Sequence, residues 1–124
     1  MGVNGTQNAD TLDFSATAFT KSSLVLDGMG GHDELTGTSD NDMIKGGTGN
    51  DDIDGDDGID TAVFSSVFSD YEITKDGTLW YVSDLRKTGT DREGVDTLSN
   101  IEKLQFADGT FSIVGDDILP DQIL

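Results

Sequence analysis

GMGGHDELTGTSDNDMIKGGTGNDDIDGDDGIDTAV, residues 28–63, divides without a gap into four blocks of nine: GMGGHDELT (28–36), GTSDNDMIK (37–45), GGTGNDDID (46–54) and GDDGIDTAV (55–63). In every block the first residue is Gly, the sixth is Asp (Asp33, Asp42, Asp51, Asp60) and the eighth is apolar (Leu35, Ile44, Ile53, Ala62). A fixed short period marks a repeat architecture, in which a unit buries its apolar residue only by stacking on its neighbours. Six residues rich in Gly, Asn and Asp make a turn, because Gly reaches positive φ cheaply and Asn and Asp tolerate it better than other residues. The remaining three make a short strand. Two blocks then form one coil of eighteen residues, and successive coils stack as parallel strands about 4.7–4.9 Å apart. The expected fold is therefore all-β, a parallel roll.

Upstream, GTQNADTLD (5–13) places Gly5, Asp10 and Leu12 in the same phase and is followed by five extra residues, Phe14 to Ala18. Residues 19–27 keep only the end of the pattern: Leu26 holds the eighth position but Leu24 stands where Asp belongs, so this block supplies a strand and no ligand. The stacking predicts Asp33 over Asp51 and Asp42 over Asp60, with Asp10 joining Asp33 if the 14–18 insertion bulges outward. Residues 1–63 form the expected roll, irregular over 14–27.

The chain has 124 residues and a net charge of −18, from twenty-five acidic side chains against seven basic ones, and only Glu34, Glu72, Glu93 and Glu102 are glutamates. This length suits one modest domain or a repeat array with an end cap and excludes a multidomain enzyme. Asp in excess over Glu, beside 16 Gly, points to tight turns carrying short carboxylates, hence to cations. The same field repels nucleic acid and anionic membrane surfaces. With no Cys there are no disulfides or thiolate metal sites, and one histidine, His32, makes zinc a poor choice. No apolar run approaches a membrane span, so no membrane insertion is expected, and Met1 to Asp10 lacks the basic and apolar regions of a leader. Met1-Gly2 with Thr6 meets a myristoylation pattern too loose to be informative. There is no HExxH, and His32 falls in a repeat turn rather than in a plausible Ser, His, Asp triad. A non-enzymatic role is expected.

The nonapeptide resembles the G-G-x-G-x-D-x-U-x repeat of RTX (repeats-in-toxin, hemolysin-type) proteins, a calcium-binding parallel β-roll. GGTGNDDID fits it at every position; Met29, Thr38 and Asp56 depart at the second position and Asp40 at the fourth. The resemblance implies Ca2+ as cofactor, two to three ions or more, held by Asp33, Asp42, Asp51, Asp60 and Asp10. Backbone carbonyls of the turns, with Gly28, Gly30, Gly37, Gly46, Gly47, Gly49 and Gly55, would supply the rest. Physical chemistry agrees. Two carboxylates about 4.8 Å apart repel by roughly 3 to 4 kcal/mol at an effective dielectric of 20. Calcium, with six to eight oxygens at about 2.3 to 2.6 Å, bridges that separation, whereas magnesium keeps its water and wants a tighter octahedron. Three or four buried aliphatic side chains do not offset the entropy of ordering thirty-six residues, so residues 28–63 are expected to fold only when calcium binds. An EF-hand fits Asn50, Asp52, Asp54 and Gly55, but Thr61 stands where its bidentate Glu belongs and the Gly-rich flanks are not helical.

Beyond Val63 the composition changes: Phe64, Phe68, Tyr71, Trp80, Tyr81, Phe106 and Phe111 replace the Gly and Asp phase. Residues 64–114 are expected to be a β-rich cap, with hairpin turns at Asp76-Gly77 and at Ala107 to Thr110, followed by a tail over 115–124. GIDTAVFSS, SDYEIT and DTLSNIEKLQFADGT look like the segment after the repeats of type I secreted RTX proteins. That resemblance implies a secreted or extracellular module of a larger parent protein, exported unfolded by type I secretion machinery and folded by external calcium; the ending Asp121-Gln122-Ile123-Leu124 only loosely fits such a signal. Arg86, Lys87 and Arg92, with Lys75 and Lys103, open an alternative: a carbohydrate-binding module for an acidic polysaccharide. Asp91, Glu93 and Asp96 form a further candidate cation site.

Overall fold

The computed structural model describes residues 2–6, 8–13, 25–85, 94–115 and 117–120. Among them every regular element is a strand apart from one 3-10 turn at Phe68–Asp70. The roll strands are three residues long: β1 (Gly2–Asn4), β2 (Thr11–Asp13), β3 (Val25–Asp27), β4 (Glu34–Thr36), β5 (Met43–Lys45), β6 (Asp52–Asp54) and β7 (Thr61–Val63). After them come β8 (Tyr71–Asp76), β9 (Leu79–Asp84), β10 (Val95–Ser99), β11 (Lys103–Phe106), β12 (Gly109–Val114) and β13 (Asp117–Pro120).

Odd and even roll strands go to opposite sheets, as a coil of two turns and two strands requires. One sheet runs β1-β3-β5-β7-β11-β12-β13, the other β2-β4-β6-β10-β9-β8. Parallel pairing sets Leu26 opposite Ile44 and Ile44 opposite Ala62 in the first, and Leu12 opposite Leu35 and Leu35 opposite Ile53 in the second. These eighth-position residues make two facing columns between the sheets: Leu26, Leu35, Ile44, Ile53 and Ala62 are all at most 2% exposed. Their flanking residues point outward, which suits Glu34, Asp52 and Lys45. The pairing of Thr11 to Asp13 with Glu34 to Thr36 keeps the phase across the five extra residues, which themselves lie outside the described residues.

The columns do not stop at Val63. Strand β10 joins β6 in parallel with Leu98 opposite Ile53, and β11 joins β7 with Leu104 opposite Ala62; Leu98 and Leu104 are fully buried. Residues 95–106 therefore continue the parallel pairing of the roll by one more coil, within the stretch 64–114 expected as a β-rich cap. The phase is hidden because the turn between these strands is cut to Asn100, Ile101 and Glu102, which brings the two core leucines six residues apart instead of nine. Beyond this coil the sheets turn antiparallel. The hairpins β8–β9 and β11–β12 form at the expected Asp76-Gly77 and Ala107 positions, and β13 lies within the expected tail, paired with β12. Phe64 stacks on Phe106 with centroids 5.3 Å apart, Tyr71 tilts onto Phe106 at 5.1 Å, and Phe68 stacks on Phe111 at 4.4 Å. Tyr71 belongs to one sheet and Phe106 to the other, so the rings tie the sheets together where the roll ends.

Candidate metal-binding turns

The sixth-position Asp of each turn immediately precedes its strand, so parallel stacking of the strands stacks the carboxylates. Each is tied to the next coil in the same way. The Asp10 amide donates to Asp33 Oδ1 at 2.8 Å, the Asp33 amide to Asp51 Oδ1 at 3.0 Å, and the Asp51 amide to Asp96 Oδ1 at 2.9 Å. On the opposite edge the Asp42 amide donates to Asp60 Oδ1 at 2.8 Å, and the Asp60 amide to Glu102 Oε1 at 2.8 Å. The pairs Asp33/Asp51, Asp42/Asp60 and Asp10/Asp33 are thus brought together. Asp96 ends one ladder; Asp91 and Glu93, grouped with it as a candidate cation site, lie outside the described residues. Glu102 carries no signal in the sequence: the shortened turn that it closes breaks the nine-residue phase, and a Glu rather than an Asp accepts the ladder amide there.

The ladder uses one oxygen, Oδ1, of Asp33, Asp51 and Asp60. The other, Oδ2, is buried without a hydrogen-bond partner in Asp33, Asp51 and Asp60, all at most 1% exposed. Unpaired buried carboxylate oxygen is costly. Burial, and then the charges of Asp42 and Glu102, pushes Asp60 up to about 8. Burial followed by the charge of Asp33 moves Asp51 in the same direction. Asp33 is raised by burial and then by Asp10, and Glu102 by burial. The ladder thus holds more negative charge than its surroundings stabilise.

The glycines at the first position show where the orphan oxygens lie. A Cβ on Gly28 would sit 2.5 Å from Asp33 Oδ2 and 2.8 Å from the Gly46 carbonyl oxygen of the next coil. At Gly55 it would meet Asp60 Oδ2 at 2.5 Å and the Asn100 carbonyl oxygen. A carboxylate oxygen and a main-chain carbonyl from adjacent coils therefore crowd one α-carbon. Among the described residues no three Asp, Glu or His side chains converge on a point able to hold a metal, so such a site draws its remaining ligands from the main chain. Hard oxygen donors, partly carbonyl, fit calcium rather than zinc or copper. Gly30, Gly37, Gly46, Gly47 and Gly49 belong to these turns; Gly47 and Gly49 adopt φ of 88° and 92°.

Two further carboxylates shape the turns. Asp27 Oδ1 accepts the Met29 amide and Asp54 Oδ1 the Asp56 amide, each at 2.9 Å. Met29 and Asp56, with φ of 71° and 63°, occupy the left-handed region that non-Gly residues usually avoid. Asp27 and Asp54 close the preceding blocks and resemble solvated strand ends in sequence; their spacing two residues before a strained position is the signal that identifies them. The EF-hand alternative is removed by β6, which runs as a strand through Asp52–Asp54. Among the described residues His32 forms an exposed pair with Asp52 at 3.6 Å. Among the basic residues, Arg86, Lys87 and Arg92 lie outside the described residues, while Lys75 sits over Trp80, 5.4 Å from the ring centroid.

Buried carboxylate ladders on a parallel two-sheet roll, bordered by glycine carbonyls, define a calcium-binding β-roll module. Residues 27–62 match the family model of the RTX calcium-binding nonapeptide repeat in four copies, so this segment is an RTX repeat array and its cofactor is Ca2+. No curated protein matches the chain.

Proposed function

We propose that the chain is the part of a larger secreted protein that folds when it meets extracellular calcium and, once folded, supports that protein's export, folding and stability. The observation that carries this reading is the set of buried, partnerless oxygens on Asp33, Asp51 and Asp60. Without a cation they oppose the stacking that the core columns favour; Asp33, Asp51 and Asp60 would hold the ion, which would supply the positive charge that relieves this opposition. Calcium supplies positive charge at these oxygens, and the chain's own role is to present them, with the turn carbonyls, at coil spacing. Ligand geometry that exists only in the fold couples binding to folding. An unfolded, highly acidic chain in low calcium suits passage through a narrow export channel, and the calcium-rich exterior then makes folding one-way.

Circular dichroism and Trp80 emission, followed as calcium is added to metal-free protein, test this. Strand signal should rise together with burial of Trp80, which is 8% exposed in the fold, and magnesium at the same concentration should not replace calcium. A strand spectrum equally complete without metal would refute the proposal. Secretion of a passenger fused ahead of the chain, compared with and without residues 28–63, tests the export role.

A further inference from the structure

The nine-residue blocks whose sixth-position Asp is described have turns of two kinds. In 28–33, 46–51 and 55–60 the second and fourth positions have positive φ: Met29 71° and Gly31 92°, Gly47 88° and Gly49 92°, Asp56 63° and Gly58 94°. These are the three turns whose Asp Oδ2 has no partner. In 5–10 and 37–42 the second residue is Thr, and neither it nor the fourth residue, Asn8 or Asp40, has positive φ. Here the carboxylate is satisfied within its own turn. The Thr38 amide donates to Asp42 Oδ2 at 2.8 Å, its hydroxyl reaches Oδ1 at 2.9 Å, and the same hydroxyl oxygen accepts the Asp40 amide at 3.1 Å. Thr6 repeats this on Asp10, with its amide 2.6 Å from Oδ2, its hydroxyl 3.0 Å from Oδ1, and the Asn8 amide donating to it at 3.1 Å. Thr38 is fully buried, so its hydroxyl and amide supply inside the turn the positive dipole ends that the other three turns lack.

Backbone shape and carboxylate satisfaction vary together because the second residue decides both. With negative φ its N–H points at the carboxylate. In the left-handed region, at Met29 and Asp56, that N–H is turned to the preceding Asp27 or Asp54, and the carboxylate is left open. We propose that turns 37–42 and 5–10 are closed by threonine in place of a cation, and that calcium is held only at turns 28–33, 46–51 and 55–60. This rests on the calcium reading above and divides the roll into metal-held and self-held turns. The division contradicts the assignment of Asp42 and Asp10 as ligands equivalent to Asp51.

Calcium stoichiometry of the full chain, by native mass spectrometry and by calorimetry, tests this. Asp42→Asn keeps an acceptor for Thr38 and should bind as many ions as the wild type, whereas Asp51→Asn should bind fewer. Thr38→Gly combined with Asp40→Gly gives this turn the glycine positions of 46–51 and should add an ion. The proposal is overturned if Asp42→Asn loses an ion as Asp51→Asn does, or if the double variant binds no more than the wild type. A wild-type chain that binds no calcium would instead defeat the function on which the inference rests.

Discussion

Asp60 has one carboxylate oxygen taken by the Asp42 amide at 2.8 Å and the other facing no donor. Either a cation or a proton relieves it, and the two compete. Its pKa in the metal-free fold, about 8 against an ordinary 3.8, means that the fold binds a proton more tightly than the unfolded chain does. The stability this contributes is fully present below about pH 4 and is lost as pH rises towards 8; Asp51, Asp33 and Glu102 shift in the same direction. Metal-free protein should therefore gain strand signal in circular dichroism as pH falls from 8 to about 4, while apparent calcium affinity by calorimetry should rise with pH over that interval. Asp54 acts differently. Its Oδ1 holds the Asp56 amide and the Asn100 side-chain amide, both at 2.9 Å, without a place among the buried ladder oxygens. Asp54→Ala should cost about 1 kcal/mol in calcium-saturated stability, as loss of such local hydrogen bonds does, and denaturant unfolding would measure it. A value indistinguishable from wild type would mean that the left-handed turn holds itself.

Among the elements, β10 and β11 are the least expected. Leu35, Ile44, Ile53 and Ala62 announce themselves because the nine-residue phase is unbroken, and Asp33, Asp42, Asp51 and Asp60 come with it. Leu98 and Leu104 are equally buried but flank a three-residue turn, so no fixed period reaches them. What stacks in space is the strand and its preceding acid, and turn length is free to vary. The two kinds of turn are half visible: Thr38 and Asp40 depart from the repeat in sequence, but only the hydrogen bonds to Asp42 show that the departure satisfies a carboxylate. Since Leu98 continues the Leu35–Ile53 column, Leu98→Ala should destabilise the calcium-loaded roll by about 2–5 kcal/mol, as Ile53→Ala should. Thermal melts of the two variants check this. A Leu98 variant that unfolds only the hairpins and leaves the repeats intact would separate 95–106 from the roll.

For the molecule as a whole, the continuous columns make the repeats dependent on the coil and hairpins beyond them. A chain ending at Val63 would lose the Asp96 and Glu102 acceptors for the Asp51 and Asp60 amides and expose the last core pair, Ile53 and Ala62, along with two strand edges. Residues 1–63 alone should remain unfolded at calcium concentrations that fold the full chain, and strand signal restored by a fragment extended to Val114 would locate the requirement in the added coil and hairpins. The ladder bonds all run one way: the amide of each Asp gives to the carboxylate of the following coil, and the series ends on Asp96 and Glu102. Tension applied at the amino end thus loads only the outermost pair of rungs at any moment, so the molecule should peel like a zip. In an optical trap with calcium present, each step over the coils registered eighteen residues apart should release about 60 Å of chain. The antiparallel hairpins at the far end should give way last.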